Sequence, residues 1–257
     1  GTPLAATLFA MMVVDAGMML TVAFVPGFLA ALIAYDISLA AGVEPTRFVI
    51  TAPELSVAVV VRTAVLAMAC AVVAVVFCRV LHFFEHRVPQ LLPNLWLRAA
   101  VGGVAVVALS YLMGVGRYNG AGMGVIRDAV VLGKALPWDF VCKMLLTALT
   151  LSVGFKGGEV VPSFYIGATF GCVAGPLLGL PAGFSAAVGM VCVFCGATNT
   201  LVASILLAVE MFNGEGMELM ALACGLSYMF SGYHSLYSSQ GFRASKLFSE
   251  FLQPGRD

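Results

Sequence analysis

Charged residues are scarce in this sequence. Only 10% of its 257 residues are Asp, Glu, Lys or Arg, whereas 61% are hydrophobic and the mean hydropathy is +1.02. Soluble domains carry about 25% charged and roughly 45–50% apolar residues. So low a charge content excludes a soluble globular domain and indicates an integral membrane protein that spans the bilayer.

A net charge is also lacking, because 13 basic residues balance 13 acidic ones. This balance gives no indication of a nucleic-acid partner. The 7 cysteines are odd in number, lie mostly in apolar runs and show no paired framework. Such usage favours packing in a core over disulfides. We predict no cofactor and no metal site.

Long apolar runs, in contrast, are abundant. A membrane-spanning helix needs about 20 mostly apolar residues. The first half of the chain supplies such runs at residues 55–78 and 96–116. A third run, residues 18–41, contains Pro26 and Gly27, which can kink or split a helix. The predicted fold class is therefore an all-α polytopic membrane protein with tilted and partly broken helices.

The second half differs, because its apolar segments are shorter and are separated by Gly, Pro, Asn or Thr. Such segments are typical of discontinuous helices that meet at an internal site. A helix that ends inside the bilayer leaves N–H or C=O groups without partners, and its N-terminus favours an anion. The segments are residues 139–154, 163–180, 184–197, 201–212 and 217–233.

The sequence GFKGGEVVP at residues 154–162 predicts one such helix start. Gly157 and Gly158 permit tight or left-handed backbone, and Val160 and Val161 retain their N–H groups. The proline that follows suits the first turn of a helix over residues 163–176. This start can present N–H groups to an anion.

A second start follows the break GATNT at residues 196–200. Thr198, Asn199 or Thr200 can cap a helix over residues 201–212. We treat Thr198 and Asn199 as secondary candidates for an anion site, with ordinary capping as their structural alternative.

Four stretches resemble the CLC family of chloride channels and anion/proton antiporters. They are GTPLAATLF (1–9), GGEVVP (157–162), LLAVEM (206–211) and YHSLYS (233–238). The second falls where the family has its GxFxP-type pore motif, and the fourth resembles the start of the last helix, whose tyrosine, here Tyr237, lines the anion site. The third contains Glu210, an acid in an apolar helix, which we interpret as structural.

The resemblance implies that the anion path includes Gly157, Gly158, Glu159, Val160 and Val161. A GGEV-type sequence is similar to the bacterial clade that exports fluoride in exchange for protons. Fluoride is small and strongly hydrated, so it needs close hydrogen-bond donors, and a protonated carboxyl can be one.

Glu159 is therefore the candidate for proton coupling, because a nearby anion favours the protonated form of a carboxyl. Val161 stands where that clade commonly has threonine, so one side-chain donor is absent. Chloride as the anion, and a passive chloride channel of the same fold, stay open as alternatives.

Two family motifs do not occur in these residues, the GSGIP-like motif and the GREGP-like motif with the gating glutamate. We therefore expect a partial family domain. It would comprise the end of the first repeat over about 1–60, the second repeat over about 61–232, and the last pore helix with a short tail over 233–257. The internal proton-transfer glutamate of the chloride exchangers is also absent, and Asp15 is the nearest acid.

Ordinary structural roles are open to three of the candidates. Glu159 can cap its own helix, where an acid is favourable by about 0.3–1 kcal/mol. Tyr237 can belong to an interfacial belt of aromatic residues. Lys156 can offset the charge of Glu159 or simply extend its ammonium group to the membrane surface.

Two motifs raise an enzyme hypothesis. His82, Glu85 and His86 match the H-x-x-E-H pattern of zinc peptidases, which keeps a zinc-dependent intramembrane enzyme as a remote alternative. The pattern has no third ligand nearby in the sequence and follows an apolar run, so we interpret it as polar residues at the membrane boundary. Cys192 and Cys195 form a C-x-x-C inside an apolar run, which indicates packing. We predict no enzymatic activity.

The family resemblance also implies a homodimer with a separate pore in each subunit, in the lipid bilayer of a bacterial inner membrane. The dimer contact would include helices near residues 18–41, 55–78, 201–212 and 217–233, whose small residues allow close approach. After Tyr233 the chain is mixed in character through Arg243, Lys246 and Glu250. We expect a final helix that runs into the cytoplasm.

Overall fold

A computed structural model describes residues 1–114, 116–243 and 245–246, and it confirms the predicted all-α class. Within these residues the helices are α1 (Pro3–Met12), α2 (Phe24–Ala40), α3 (Val57–Leu91), α4 (Leu95–Leu112), α5 (Met123–Val131), α6 (Asp139–Ser152), α7 (Val160–Leu177), α8 (Ala182–Thr198), α9 (Leu201–Phe212) and α10 (Met217–Phe230). A 3₁₀ turn at Thr21–Ala23 leads into α2. Strands β1 (Asp15–Ala16) and β2 (Gly241–Phe242) form a short parallel pair.

Four helical stretches are long and apolar enough to cross a membrane, namely Thr21–Ala40, α3, α4 and α7. The three apolar runs of the first half therefore each contain a long helix. Pro26 lies in the first turn of α2 and does not interrupt it, because the first turn needs no N–H group at that position. Helices α8, α9 and α10 are apolar and shorter, as predicted for the second half.

Helix α3 is longer than the apolar run at residues 55–78. It spans 35 residues, and the Ser56 hydroxyl caps its start by accepting a hydrogen bond from the Val59 N–H at 3.3 Å. At about 1.5 Å per residue the helix is about 52 Å long, against a hydrocarbon core of about 30 Å. Its C-terminal turns, which carry His82 and Glu85, therefore extend past the apolar part.

Helix α8 occupies the centre of the core, and all its residues from 184 to 198 are buried. Helix α7 crosses it at glycines. A Cβ atom at Gly167 would lie 2.2 Å from the carbonyl oxygen of Gly189, and one at Gly171 would lie 2.1 Å from that of Ser185. Because no side chain fits, the two backbones approach closely. This contact fixes the direction of α7 and so the position of its N-terminus.

The outer faces of α2 and α4 are apolar. No residue of α2 is buried, and Val25, Ile33 and Ile37 are exposed along it. Trp96 and Leu112 are exposed at the two ends of α4. Exposed apolar surface of this extent fits contact with lipid or with another protein surface.

Among the described residues after Tyr233, the predicted final helix is not observed. Residues 233–243 and 245–246 form turns and the strand β2. Serines at 235, 238 and 239 favour such turns, because their hydroxyl groups compete for backbone hydrogen bonds. Strand β2 pairs Gly241 with Asp15, so the segment lies against the chain that follows α1. Glu250 lies outside the described residues.

Candidate functional site

The N-terminus of α7 lies in the predicted GGEVVP stretch. The helix begins at Val160, earlier than the predicted start at residue 163, and the Ser163 N–H donates the first helical hydrogen bond to the Glu159 carbonyl at 3.1 Å. The N–H groups of Val160 and Val161 therefore have no partner within the helix. Glu159 occupies the N-cap position, yet its side chain makes no capping hydrogen bond. The carboxyl group still lies at the positive end of the α7 dipole, so its structural alternative stays open.

The backbone turn before α7 uses a different glycine from those predicted. Gly154 has the left-handed conformation, with φ of 104°, whereas Gly157 and Gly158 do not. A Cβ atom at Gly158 would meet no atom within 4 Å, and one at Gly157 would lie 3.3 Å from the Leu151 side chain. Both glycines are exposed, so they leave the approach to the helix start open.

A cavity of about 450 Å³ adjoins this helix start. Gly157, Gly158 and Val161 form part of its wall, together with Lys143 from α6. The Lys143 ammonium group is buried and donates to the carbonyl oxygens of Tyr118 and Gly120, at 2.9 and 2.6 Å. Three of the predicted pore residues therefore share one cavity wall with a buried cation.

Asp139 stabilises the loop whose carbonyl groups bind Lys143. The carboxylate of Asp139 is fully buried and accepts hydrogen bonds from Arg117 at 2.9 and 2.5 Å, from the Tyr118 hydroxyl at 2.8 Å and from the Leu136 N–H at 2.8 Å. Such complete hydrogen bonding is what stabilises a buried charge. The cluster fixes the loop whose carbonyl groups bind Lys143.

Val160 faces a second, apolar cavity of about 210 Å³. Phe9 from α1, Phe164 from α7 and Phe194 from α8 line it as well. The ring centroids of Phe164 and Phe194 are 5.0 Å apart. The two valines at the start of α7 thus face different cavities, one with a buried cation in its wall and one lined by aromatic rings.

Glu159 and Tyr237 are electrostatic neighbours. Burial, followed by the charge of Glu159, raises the pKa of the half-buried Tyr237 hydroxyl to about 12. Burial also raises the pKa of the Glu159 carboxyl, which precedes the first residue of the α7 span. The negative charge of Glu85 raises the pKa of Glu159 further, and His82 acts in the opposite direction. The charge of Glu159 therefore acts on the Tyr237 hydroxyl group.

His82 and Glu85 of α3 lie beside this group. The Nδ1 atom of His82 is 3.2 Å from a carboxyl oxygen of Glu85, and its Nε2 atom is 2.8 Å from the Ser235 carbonyl oxygen. The Ser235 hydroxyl in turn accepts a hydrogen bond from the Tyr237 N–H at 3.0 Å. Ser235 thus holds the α3 pair and Tyr237 in one arrangement.

Thr198 and Asn199 have structural partners. Asn199 ends α8 in the left-handed conformation, and its side-chain amide donates to the His234 carbonyl at 3.0 Å and to the Gln240 side chain at 2.8 Å. Lys246 donates to the Asn199 side-chain oxygen. Thr200 takes the N-cap position of α9 without a side-chain capping bond. The break between α8 and α9 is thus closed by side chains from the 233–246 segment.

Glu210 and Lys156 have different surroundings. The Glu210 carboxylate accepts hydrogen bonds from the N–H groups of Leu4 and Ala5, at 3.1 and 2.8 Å, and so caps the N-terminus of α1. This supports its predicted structural role. Lys156 is exposed in the loop before α7.

The residues of the two enzyme-like motifs have other partners. His86 is 2.9 Å from the Gln90 side chain, one turn away from the contact between His82 and Glu85. In the part of the chain that the structure describes, no group of three or more His, Cys, Asp or Glu side chains is placed to hold a metal ion. Cys192 and Cys195 are buried free thiols, which agrees with the packing role predicted for this pair.

Lys143 and the contact of His82 with Glu85 are features that the sequence reasoning missed. Lys143 could have been found, because it is an ionisable residue inside an apolar segment, and such residues are functional candidates by default. The proximity of His82 to Glu159 has no signal in the sequence, because 77 positions along the chain separate the two residues.

Comparison with known proteins adds a family and two relatives. The sequence model of the family described as voltage gated chloride channel matches residues 1–232. A chloride/fluoride channel protein of Pseudomonas syringae pv. tomato is 37% identical over 257 residues, which cover 96% of this chain and 56% of that protein. An uncharacterized protein of Methanocaldococcus jannaschii is 22% identical over 144 residues, which cover 55% of this chain and 36% of that protein.

A solved structure matches the same architecture. The crystal structure of a CLC-type fluoride/proton antiporter superposes with a TM-score of 0.88 and 34% sequence identity. The match covers 94% of this chain and 61% of that chain. The present chain thus spans a little over half the length of the bacterial relative and of the solved antiporter.

Proposed function

Because this chain belongs to the CLC family of voltage gated chloride channels, we propose that the protein moves fluoride across a membrane in exchange for protons. The observation that carries the proposal is the position of Glu159. Its carboxyl group stands at the N-terminus of α7, beside N–H groups without helical partners and without a capping hydrogen bond of its own. It is placed to meet both an anion and a proton.

The chemistry follows from charge. The free N–H groups and the positive end of the helix dipole favour an anion at the start of α7. An ionised Glu159 repels that anion, whereas a protonated Glu159 can donate a hydrogen bond to it. Anion occupancy and proton binding at Glu159 therefore favour each other. This mutual dependence is what an exchanger needs to couple the two fluxes.

Fluoride is favoured over chloride by the relatives. The bacterial relative is named a chloride/fluoride channel protein, and the solved structure is named a fluoride/proton antiporter. A small anion with a high charge density gains more from a carboxyl donor than a large anion does. Val161 contributes its N–H group here, and its side chain adds no hydroxyl donor.

Further proposals concern assembly, location and domain division. We propose a homodimer in a bacterial inner membrane, with the exposed apolar faces of α2, α3, α9 and α10 available for the subunit contact. The division at about residue 232 between the second repeat and the last pore segment has support from the family match, which ends at the same residue.

Flux measurements on the full-length protein in liposomes test the exchange. A fluoride gradient should drive protons against their own gradient, and replacing fluoride by chloride should slow this movement. Fluoride movement without uphill proton movement would instead establish the passive channel alternative. Purified protein that carries stoichiometric zinc and loses activity on His82→Ala would favour the enzyme alternative.

A further inference from the structure

Both ring nitrogens of His82 face groups that can accept a hydrogen bond. The Nε2 atom lies 2.8 Å from the Ser235 carbonyl oxygen, which cannot donate, so Nε2 carries a hydrogen. The Nδ1 atom lies 3.2 Å from a Glu85 carboxyl oxygen. A hydrogen bond at that distance needs a second proton, either on Nδ1 or on the carboxyl group. The arrangement therefore gives the two side chains one position at which a proton can be shared.

The side chains of the pair are partly exposed. The side chains of His82 and Glu85 are 39% and 41% exposed, and they lie on the part of α3 that extends past its apolar run. Imidazole and carboxylate groups exchange protons readily with water near neutral pH, where histidine ordinarily titrates. The exposed side of the pair is the side on which the proposed route exchanges protons with solution.

The other side of the pair faces the anion site. Ser235 binds His82 through its carbonyl group and Tyr237 through its hydroxyl group, which places α3 next to the segment that lines the site. Glu159 lies near enough for the charges of both Glu85 and His82 to act on its carboxyl group. The described contacts include no direct hydrogen bond between Glu159 and the pair, so a bridging water is needed for transfer.

We propose that His82 and Glu85 carry protons between Glu159 and the aqueous solution. In this step a proton leaves the Glu159 carboxyl group, passes through a bridging water to the shared site on His82 and Glu85, and is released to solvent, and uptake follows the reverse order. No covalent bond other than those to the proton changes. The proposal rests on the proposed exchange and assigns a route to its proton.

Other charged groups lie near His82 and Glu85. Arg79 on α3 lies 3.2 Å from the His234 ring, and Lys246 lies in the same segment as His234. Arg79, Lys246, His234 and Glu159 are therefore the charged or titratable groups on the neighbouring elements. Tyr237 keeps its proton, because its pKa is raised to about 12.

The test compares His82→Gln and Glu85→Gln with His86→Gln in the full-length protein. A glutamine at position 82 retains an N–H donor for Ser235 but does not titrate. His86 is an exposed histidine one turn further along α3 and bonds to Gln90, so it controls for loss of a surface histidine. Proton flux, fluoride flux and their pH profiles are measured in liposomes, and fluoride affinity is measured by calorimetry with sodium fluoride.

Each of the two test variants should slow proton flux by about ten-fold or more, since a positioned acid or base typically contributes about 10²–10⁴-fold. The pH profile should change, fluoride affinity at low pH, where Glu159 is protonated in every variant, should stay within two-fold of wild type, and His86→Gln should match wild type. The side chain of Glu85 is exposed, so Glu85→Gln should not disturb folding. If Glu85→Gln keeps the wild-type proton flux and pH profile, the route is overturned, even if His82→Gln fails to fold.

If His82→Gln and Glu85→Gln behave as wild type while Glu159→Gln abolishes coupling, the route fails and the proposed exchange stands. If the wild-type protein moves no protons, both fail.

Discussion

The Nε2 atom of His82 lies 2.8 Å from the Ser235 carbonyl oxygen, and this contact joins the C-terminal half of α3 to the segment that carries Tyr237. Through this contact, His82 of the H-x-x-E-H motif lies next to the segment that carries Tyr237 of the proposed anion site. It also explains why polar residues near the end of α3 are arranged in a specific geometry, since a merely interfacial histidine would need no fixed partner in the interior.

Transport should depend on pH through Glu159. Burial raises the pKa of its carboxyl group, and Glu85 adds to this, so Glu159 binds a proton at a pH where an exposed glutamate has lost it. A protonated Glu159 is the form that admits the anion, and fluoride flux should therefore increase as the pH falls toward the raised pKa. The free energy of unfolding should also increase as the pH falls, because the folded state binds the Glu159 proton more tightly than the unfolded state does. Flux measured at equal pH on both sides should show this rise in wild type and a flatter profile in Glu159→Gln. Identical profiles would contradict the assignment.

Removal of the Asp139 carboxylate should destabilise the fold. Asp139→Ala leaves Arg117 and Tyr118 without their shared acceptor, and breaking a buried pair in this way costs about 3–5 kcal/mol. Asp15→Ala is the matched control, because Asp15 pairs with Arg243 at the surface and such pairs contribute about 0–1 kcal/mol. Thermal unfolding of the full-length protein in detergent measures both. Equal melting temperatures for the two variants would show that the Asp139 cluster contributes no more to stability than the surface pair of Asp15 and Arg243.

The crossing of α7 and α8 should not accept a methyl group. In Gly189→Ala the new Cβ atom would lie 2.3 Å from the Gly167 carbonyl oxygen, so the helices must separate and the protein should lose stability. Gly225→Ala is a control on α10, where a Cβ atom meets nothing within 4 Å. That change should be neutral or stabilising by up to about 1 kcal/mol, since alanine favours a helix over glycine. A Gly189→Ala protein with wild-type melting temperature would be inconsistent with this packing.

Glu210 should contribute to stability and not to transport. Its carboxylate caps α1 through Leu4 and Ala5, so Glu210→Ala should destabilise the protein by about 0.5–2 kcal/mol. The ratio of protons to anions moved per folded protein should stay unchanged. Glu218→Ala, an exposed acid on α10, serves as the control for loss of one negative charge. A changed ratio in Glu210→Ala alone would give Glu210 a role in the anion path.

The helices were predictable because their signals are local. Residues 201–212 were predicted with the bounds that α9 has, and the short helices of the second half follow from the Gly, Pro, Asn and Thr residues between them. The family prediction is confirmed by a match over residues 1–232, which include the local pattern GGEVVP. Helix α5 had no such signal, because its nine residues include Arg127 and Asp128 and lack a long apolar run.

What the sequence could not supply was proximity across the fold. The length of α3 brings His82 to Ser235, and the pairing of β1 with β2 places residues 233–246 against α1 and α8. Asn199 looked like a helix cap but terminates α8 and bonds to Gln240, 41 positions later. Such contacts depend on which faces pack together, and a list of neighbours along the chain does not contain that information.

The most direct test of the central claim is uphill proton movement by the full-length protein carrying Glu159→Gln. Wild type and the variant are reconstituted in liposomes with a fluoride gradient and an opposing proton gradient, with Glu210→Gln as the control for loss of a carboxylate elsewhere. We expect uphill proton movement in wild type and in Glu210→Gln, and none in Glu159→Gln, which should still fold. Uphill proton movement at the wild-type rate in Glu159→Gln would contradict the account.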